Sequence, residues 1–516
     1  MKIVAVNEMR RLEAEAMKRA ADGRPDGISG ADMMELAGTA AASRLLDWIR
    51  DWPETRCRRI TVLAGKGNNG GDAWVAARFL QKACQIPVTL YSVCKRQELK
   101  GDAAYHADVA QHGLDYEEGV EELPEEALSA GTVIVDGLLG TGAKGSPRDP
   151  YKRIIEQVND SRLPVLALDI PSGLDADTGD GDGAMEADVT VTMAFPKAGL
   201  FRKDGPSLCG RLEVVGIGLP KDLIDGAQAV GEAFGMDDAR RLVGRRLGNG
   251  YKGTYGHLLV MGGSGGYVGA PILSALGGVR GGAGLVTLCV PGGCLANPPL
   301  ASLIFRRMGN VDDRCFKASM TEELHTLLYN KTAVAYGPGT GGDAEKEFLA
   351  RLLETELPLV VDADGLRLLA ANPAMLPRRH GATVLTPHVG EMQALMKGFG
   401  LDGATACEEQ AVALARKTGC VVVLKGRFTM VAEPSGRVTL NMSGGPALST
   451  AGSGDVLTGV VSSLMAQGMA AGDAARLGVF LHGLAGDLWK GARRSMSADE
   501  LADLIGDAWK EVSVLS

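Results

Sequence analysis

Along the first half of the chain, short apolar runs recur at 59–64, 88–93, 132–135, 165–168, 189–193 and 212–216. Runs of four to six residues without polar alternation predict strands buried on both faces. Between them, apolar positions fall three and four apart, the spacing of a helix face, and the first helices are expected over 7–20 and 29–51. Strands alternating with helices make a doubly wound parallel sheet, an α/β architecture. The rhythm lapses over 219–236, and a short helix is expected over 237–247. The pattern then restarts: a strand at 256–261, a helix ending near Gly281, a strand at 285–290, and further strands beginning at 333, 359, 384 and 421. Two α/β domains are therefore expected, 1–229 and 230–516. A chain of 516 residues needs more than one, because single cores stop growing well below that length.

The polar residues between these elements are concentrated in loops at strand ends, where open α/β sheets bind ligands. After 59–64 comes Gly65-Lys66-Gly67-Asn68-Asn69-Gly70-Gly71-Asp72, leading into a helical pattern through Val75, Ala76, Phe79 and Leu80. Strand, glycine loop and helix bring backbone amides close to a phosphate, although this is not the GxGxxG fingerprint. After 132–135 comes Asp136-Gly137-Leu138-Leu139-Gly140-Thr141-Gly142-Ala143-Lys144-Gly145-Ser146, and after 165–168 comes Asp169-Ile170-Pro171-Ser172-Gly173. Singly, each is compatible with an ordinary β–α turn. Together, Asn69, Asp136, Asp169 and Ser172 read as one site whose oxygen donors suit a hard cation or a sugar hydroxyl. No histidine lies near these loops, which disfavours zinc.

In the second half, Gly452-Ser453-Gly454-Asp455 precedes an apolar pattern at 456/457, 460/461 and 464/465. A helix starting near Gly454 would point its free N–H groups into the glycine loop and place Asp455 in its first turn. Such a terminus can hold a transferring phosphoryl group while a carboxylate takes a proton from the acceptor. The plain alternative is a glycine turn followed by a helix-capping acid. Likewise, Lys425 alone reads as a solvated strand-end lysine, and His388 alone as a satisfied structural histidine.

Composition narrows the classes. A net charge of −9 and the lack of long basic runs argue against a general nucleic-acid binder. The 71 glycines and 5% aromatics fit glycine-loop α/β architecture better than a β-sandwich. Nine cysteines, at 57, 84, 94, 209, 289, 294, 315, 407 and 420, form no CxxC pair and point to a reducing compartment. The uncharged stretch 456–472 is too short and too rich in Gly and Ser to span a bilayer and is expected to form a buried helix. With no secretory segment at the N-terminus, a cytoplasmic protein without a membrane partner is expected.

Thr386-Pro387-His388-x-Gly390-Glu391, Lys425-Gly426-x-x-Thr429 and Gly452-Ser453-Gly454-Asp455, in that order, resemble the ribokinase-like superfamily, most closely its ADP/ATP-dependent NAD(P)H-hydrate dehydratases. Gly67-Asn68-Asn69-Gly70-Gly71-Asp72, Asp136-x-x-Leu139-Gly140-Thr141-Gly142 and Leu168-Asp169-Ile170-Pro171-Ser172-Gly173 resemble the NAD(P)H-hydrate epimerase domain. Joined, they resemble the bifunctional NAD(P)H-hydrate repair enzymes over nearly the whole chain. The resemblance implies a Rossmann-like epimerase domain that equilibrates the R and S hydrates. It implies a following ribokinase-like domain that dehydrates the S form by phosphorylating its C6 hydroxyl. The implied substrates are NADHX and NADPHX, with ADP (leaving as AMP) and Mg2+ in the second domain, and the family tends to self-associate.

By the same resemblance, K+ is assigned to Asn69, Asp136 and Ser172. The epimerase substrate is assigned to Asn68, Asn69, Gly70, Gly71, Asp72, Gly140, Thr141, Gly142, Ala143, Lys144, Gly145, Ser146, Tyr151 and Asp169, with Asp169 the candidate acid/base. The dehydratase substrate falls to Ala270, Gly339, His388 and Asp455, and the nucleotide to Lys425, Gly426, Arg427, Phe428, Thr429 and Gly454. Asp455 would accept the hydroxyl proton. Ala73 follows Asp72 where glycine is usual, Arg427 and Phe428 are bulky where small residues are usual, and Ser453 stands where threonine is frequent. Two other readings stay open. One is a small-molecule kinase of the same superfamily, against which the first half argues. The other is a non-catalytic dinucleotide-binding module, against which Asp169 and Asp455 argue.

Overall fold

In the computed structural model, which describes residues 1–244, 249–294, 300–401, 403, 406–490 and 495–513, the chain divides into two compact units, Met1–Glu232 and Ala233–Ser516. The first unit carries a short strand β1 (Lys2–Ile3) and then β2 (Arg59–Ala64), β3 (Val88–Ser92), β4 (Asp115–Glu118), β5 (Thr132–Gly137), β6 (Val165–Leu168), β7 (Val189–Met193) and β8 (Arg211–Val215). Strands β2–β8 form one sheet in the order β4-β3-β2-β5-β6-β7-β8, parallel throughout. The order reverses between β2 and β5, so the loops after these two strands flank the crevice where doubly wound sheets take ligands.

Both faces of that sheet are covered. Val62, Val133, Val135 and Leu166 pack with Leu45, Trp74 and Leu80 from the Gly30–Ile49 and Asn68–Ala83 helices. The alternate residues Leu63, Ile134, Val165 and Ala167 pack with Ile154, Ile155 and Val158 of the Tyr151–Ser161 helix. This two-residue alternation between two buried faces is why these strands read as unbroken apolar runs. The second helix begins where the Ser29 side chain accepts from Asp32 N, a local N-cap.

The second unit contains the end of β9 (Gly231–Phe234), which crosses the division, followed by β10 (His257–Met261), β11 (Leu285–Pro291), β12 (Ile304–Met308), β13 (Ala333–Tyr336), β14 (Leu359–Val361), β15 (Thr383–Leu385), β16 (Val421–Leu424), β17 (Met430–Ala432) and β18 (Val438–Asn441). Their order is β18-β17-β16-β15-β14-β13-β10-β11-β12. The strands from β16 to β12 are parallel, and β17 and β18 add an antiparallel extension.

Three sequence expectations change. The expected 237–247 helix is Met236–Leu242, and 245–247 lie outside the described residues. The uncharged stretch 456–472 is not one helix: Ser453–Ala466 ends before a second begins at Ala471. Gly468, at φ 90°, reverses the chain there, and Met469 N closes the turn onto Leu464 O. Strand β5 also runs two residues past the expected end, through Asp136 and Gly137. Among the described residues, no helix is long and apolar enough to cross a membrane.

Candidate active sites

The first site is a cavity of about 490 Å³ at the β2/β5 reversal. Asp136 and Ser172 do not line it but lie behind Leu138 and Leu139, which do. The Asp136 carboxyl is buried, accepting from Ser172 Oγ at 2.6 Å, Ser172 N at 2.8 Å and Leu138 N at 3.2 Å. Burial pushes it up to about 6, opposed by the bonds from Ser172. Asn69 Nδ2 donates to Leu139 O at 3.1 Å, while its buried Oδ1 has no hydrogen-bond partner among the described residues. An orphaned buried acceptor is rare and marks a group awaiting a donor or an ion. With a buried carboxyl and a hydroxyl from neighbouring loops, this all-oxygen set fits a hard cation.

Asp169 lines the same cavity and adopts a left-handed backbone, φ 64°, which is uncommon for a non-glycine residue and turns the chain sharply after β6. Its Oδ1 accepts from Thr192 Oγ1 and Met193 N, each at 3.1 Å, and from Lys197 Nζ. The lysine is 1% exposed and also donates to Met193 O at 3.0 Å. Glu13 and Asp72 line the cavity too. Burial, then repulsion from Asp169 and Glu13, raises the Asp72 carboxyl well above its ordinary value, and Lys197 opposes this. Burial also raises Glu13, against the pull of Lys197. The site therefore gathers three carboxyls, two of them raised by burial, with one buried ammonium, a distribution suited to acid–base chemistry.

The second site is a cavity of about 630 Å³ at the carboxyl ends of β14 to β16. The Ser453–Ala466 helix opens into it, with Gly452 as N-cap at φ 88° and Asp455 in the first turn. Burial and the nearby Asp362 carboxylate push Asp455 up to about 7, although Lys425 pulls the other way. Lys425 Nζ donates to Asp362 Oδ1 at 2.9 Å and lies 3.9 Å from Glu391 Oε2. Burial lowers the Lys425 ammonium, but Asp362 and Glu391 outweigh it and the net shift is upward. Thr458 Oγ1 donates to the other oxygen of Asp362 at 2.6 Å. Buried His482 faces Ser453 O at 2.9 Å, and burial lowers its imidazole to about 4, a neutral ring at neutral pH.

The predicted residues separate into groups. Asn68, Asn69, Asp72, Gly140, Thr141, Gly142, Ala143, Tyr151 and Asp169 line the first cavity. Gly70, Gly71, Lys144, Gly145 and Ser146 do not line it. Gly70 packs against Gly65 O too closely for a side chain, and Gly71 packs against Met34. Lys144 Nζ and Ser146 Oγ donate to Asp175 and Asp182, each at 2.9 Å.

In the second cavity stand His388, Lys425, Gly426, Arg427, Thr429, Gly454 and Asp455. His388 also caps the Val389–Gly398 helix, its Nδ1 accepting from Gly390 N at 3.0 Å, so a structural and a site position coincide. Arg427 donates to Gly444 O at 2.6 Å, and its guanidinium lies 4.7 Å over the ring of Phe428, which does not line the cavity. Ala270 and Gly339 lie outside the lining and beside each other, at the β10/β13 reversal. Sequence reasoning missed Glu13, Lys197, Asp362 and Glu391 as site members. Lys197 and Asp362 were open to the strand-end rule, since each follows a carboxyl end of a parallel strand. Glu13 sits mid-helix, where nothing in the spacing singles it out.

A family model described as NAD(P)H-hydrate dehydratase matches residues 258–506, and one described as YjeF-related protein N-terminus matches residues 30–199. The bifunctional NAD(P)H-hydrate repair enzyme Nnr of Moorella thermoacetica is 37% identical over 470 residues, 87% of each chain. That of Coxiella burnetii is 36% identical over 506 residues, 96% of each chain. The chain belongs to the bifunctional NAD(P)H-hydrate repair enzyme family. A solved structure, the ADP/ATP-dependent NAD(P)H-hydrate dehydratase of Bacillus subtilis co-crystallized with ATP/Mg2+, is 27% identical and covers 55% of this chain and 100% of its own, with a TM-score of 0.47. In this member of the repair-enzyme family the two family models match one compact unit each, and each unit holds one of the two cavities.

Proposed function

We propose that the chain repairs hydrated NAD(P)H with two activities, epimerisation in Met1–Glu232 and nucleotide-dependent dehydration in Ala233–Ser516. The observation that carries this reading is Asp455, a buried carboxyl poised at about 7 in the first turn of a helix that opens on a glycine loop. A base near neutrality beside an anion-binding terminus suits transfer of a phosphoryl group to a hydroxyl. Asp455 takes the proton of the C6 hydroxyl while the hydroxyl oxygen bonds to the terminal phosphorus of ADP and the bond to AMP breaks. The amides of Gly452 to Gly454 and the Lys425 ammonium meet the developing charge, with Mg2+ carried on the nucleotide phosphates. The C6–O bond then breaks as the ring nitrogen's lone pair forms C=N, phosphate departs, and loss of a C5 proton restores the dihydropyridine. Gly426 to Thr429, a tight turn between β16 and β17, supplies the nucleotide edge, and His388 and Asp455 the dinucleotide edge. Ala270 and Gly339 extend the dinucleotide path at the neighbouring reversal.

In the first site, inversion at C6 breaks the C6–O bond with help from the ring nitrogen, and the hydroxyl leaves as water with a proton from an acid. Water returns to the other face and gives a proton to a base. Asp169 serves as that base, and Asp72, whose carboxyl is raised well above its ordinary value by burial, is placed to be the acid. The amides of Gly140 to Ala143 receive the diphosphate. Asn69, Asp136 and Ser172 would hold K+, which when bound supplies fixed positive charge beside these carboxyls. The nine free cysteines support a reducing, cytoplasmic setting.

The test supplies purified protein with mixed R and S hydrates of NADH, ADP, Mg2+ and K+, and follows reduced-nicotinamide absorbance. Recovery from both hydrates is expected. Recovery from the S hydrate alone removes the epimerase reading, and no recovery with ADP or ATP removes the repair reading.

A further inference from the structure

The three donors on Asp169 are arranged unevenly. Thr192 Oγ1, Met193 N and Lys197 Nζ all converge on Oδ1, while Oδ2 accepts no hydrogen bond among the described residues. The lysine is held in turn by Thr192 Oγ1 at 3.2 Å and Met193 O at 3.0 Å, inside a nearly solvent-free pocket. A buried ammonium is costly without an anion, and among the described residues Asp169 is the only carboxylate in contact with it. The charged groups facing this pair are Glu13 and Arg10 from the Val6–Ala21 helix and Asp72 from the Asn68–Ala83 helix.

We propose that Lys197 is the positioning residue of the first site: it ties down one oxygen of Asp169, so that the other oxygen exchanges the proton at the hydrated carbon. This rests on the epimerase reading. Lys197 makes no contact with substrate in this role. It acts by fixing the aim of Asp169, already set by the left-handed backbone.

The experiment measures epimerisation of R-hydrated NADH against pH for the wild-type chain and for Lys197→Met, Lys197→Arg and Thr192→Val. S-hydrate dehydration by the other unit serves as the control for intact protein. Lys197→Met is expected to lower kcat of epimerisation by about 10²-fold with KM changed less than about threefold. A carboxylate without its cation holds a proton more tightly, so the acid side of the profile should move up by about one to two pH units. Lys197→Arg should restore the position of that limb, and Thr192→Val should lower kcat by about tenfold or less with the limb nearly in place. A wild-type kcat in Lys197→Met overturns the proposal. So does an equal loss at every pH that arginine fails to relieve, since that marks a packing role only. Absence of epimerisation by the wild-type chain removes the epimerase reading, and this inference with it, a result distinct from either of those.

Discussion

The two sites use the same ingredients, clustered carboxyls and one buried lysine, but wire them differently. In the first, Lys197 bonds the carboxylate proposed to work, Asp169. In the second, Lys425 bonds a neighbour, Asp362, and leaves Asp455 to be raised to about 7 by burial and by Asp362 itself. A lysine placed on the carboxylate itself fixes it and leaves a defined free oxygen. A lysine placed on a neighbouring carboxylate leaves Asp455 raised to about 7, where it can exchange a proton near neutrality. The first arrangement suits reversible protonation of water at carbon. The second suits removal of a hydroxyl proton during phosphoryl transfer.

The contrast can be broken most forcefully at the carboxylates. Asp455→Asn should reduce dehydration by about 10³- to 10⁴-fold, with epimerisation unchanged, as read by separate assays on the S and R hydrates. Asp169→Asn should reduce epimerisation by about 10²- to 10⁴-fold and leave the R hydrate unconsumed while the S hydrate is repaired at the normal rate. Lys425→Met leaves the Asp362 carboxylate buried with Thr458 as its remaining donor, and breaking such a pair costs about 3–5 kcal/mol, measurable as an earlier denaturant midpoint for the second unit. The pH dependence sharpens the comparison further. Because Asp455 must be ionised to accept a proton, kcat of dehydration should rise with pH through a midpoint near 7. The smallest effect is expected at Asn69→Ala, which deletes the orphaned acceptor: stability should change by about 1 kcal/mol or less, while stimulation of epimerisation by K+ should fall about tenfold.

Much of the fold was legible because its central strands are buried on both faces and print as plain apolar runs. The strands that escaped notice are at edges or in the antiparallel extension. β4 reads Asp-Tyr-Glu-Glu and β12 reads Ile-Phe-Arg-Arg-Met, charged in the way that protects a sheet edge from pairing with other chains. The loop residues of both sites were legible because glycine and asparagine at strand ends have few other uses. Lys197 and Asp362 were not singled out, because a lone charge in an apolar stretch looks like a solvated strand end until burial is known. Glu13 reaches the first cavity from a helix far back in the chain, and only the folded arrangement brings it there.

The helix carrying Asp455 has a close neighbour. A Cβ placed on Gly459 would fall 1.9 Å from Ser274 O, and one on Gly277 would fall 2.3 Å from Val456 O, so backbone of Ser453–Ala466 lies directly against backbone of Gly269–Arg280. Ser274 Oγ then donates to Asp455 O at 2.9 Å. The glycine loop before Asp455 is thus braced by main chain, which no exchange of side chains can soften, and glycine at 277 and 459 is a condition of its position. For redesign, the turn carrying Arg427 and Phe428, which the proposed reading gives to the nucleotide, is held by side-chain contacts instead. The helix behind the loop is a fixed datum from which the rest of the pocket is measured.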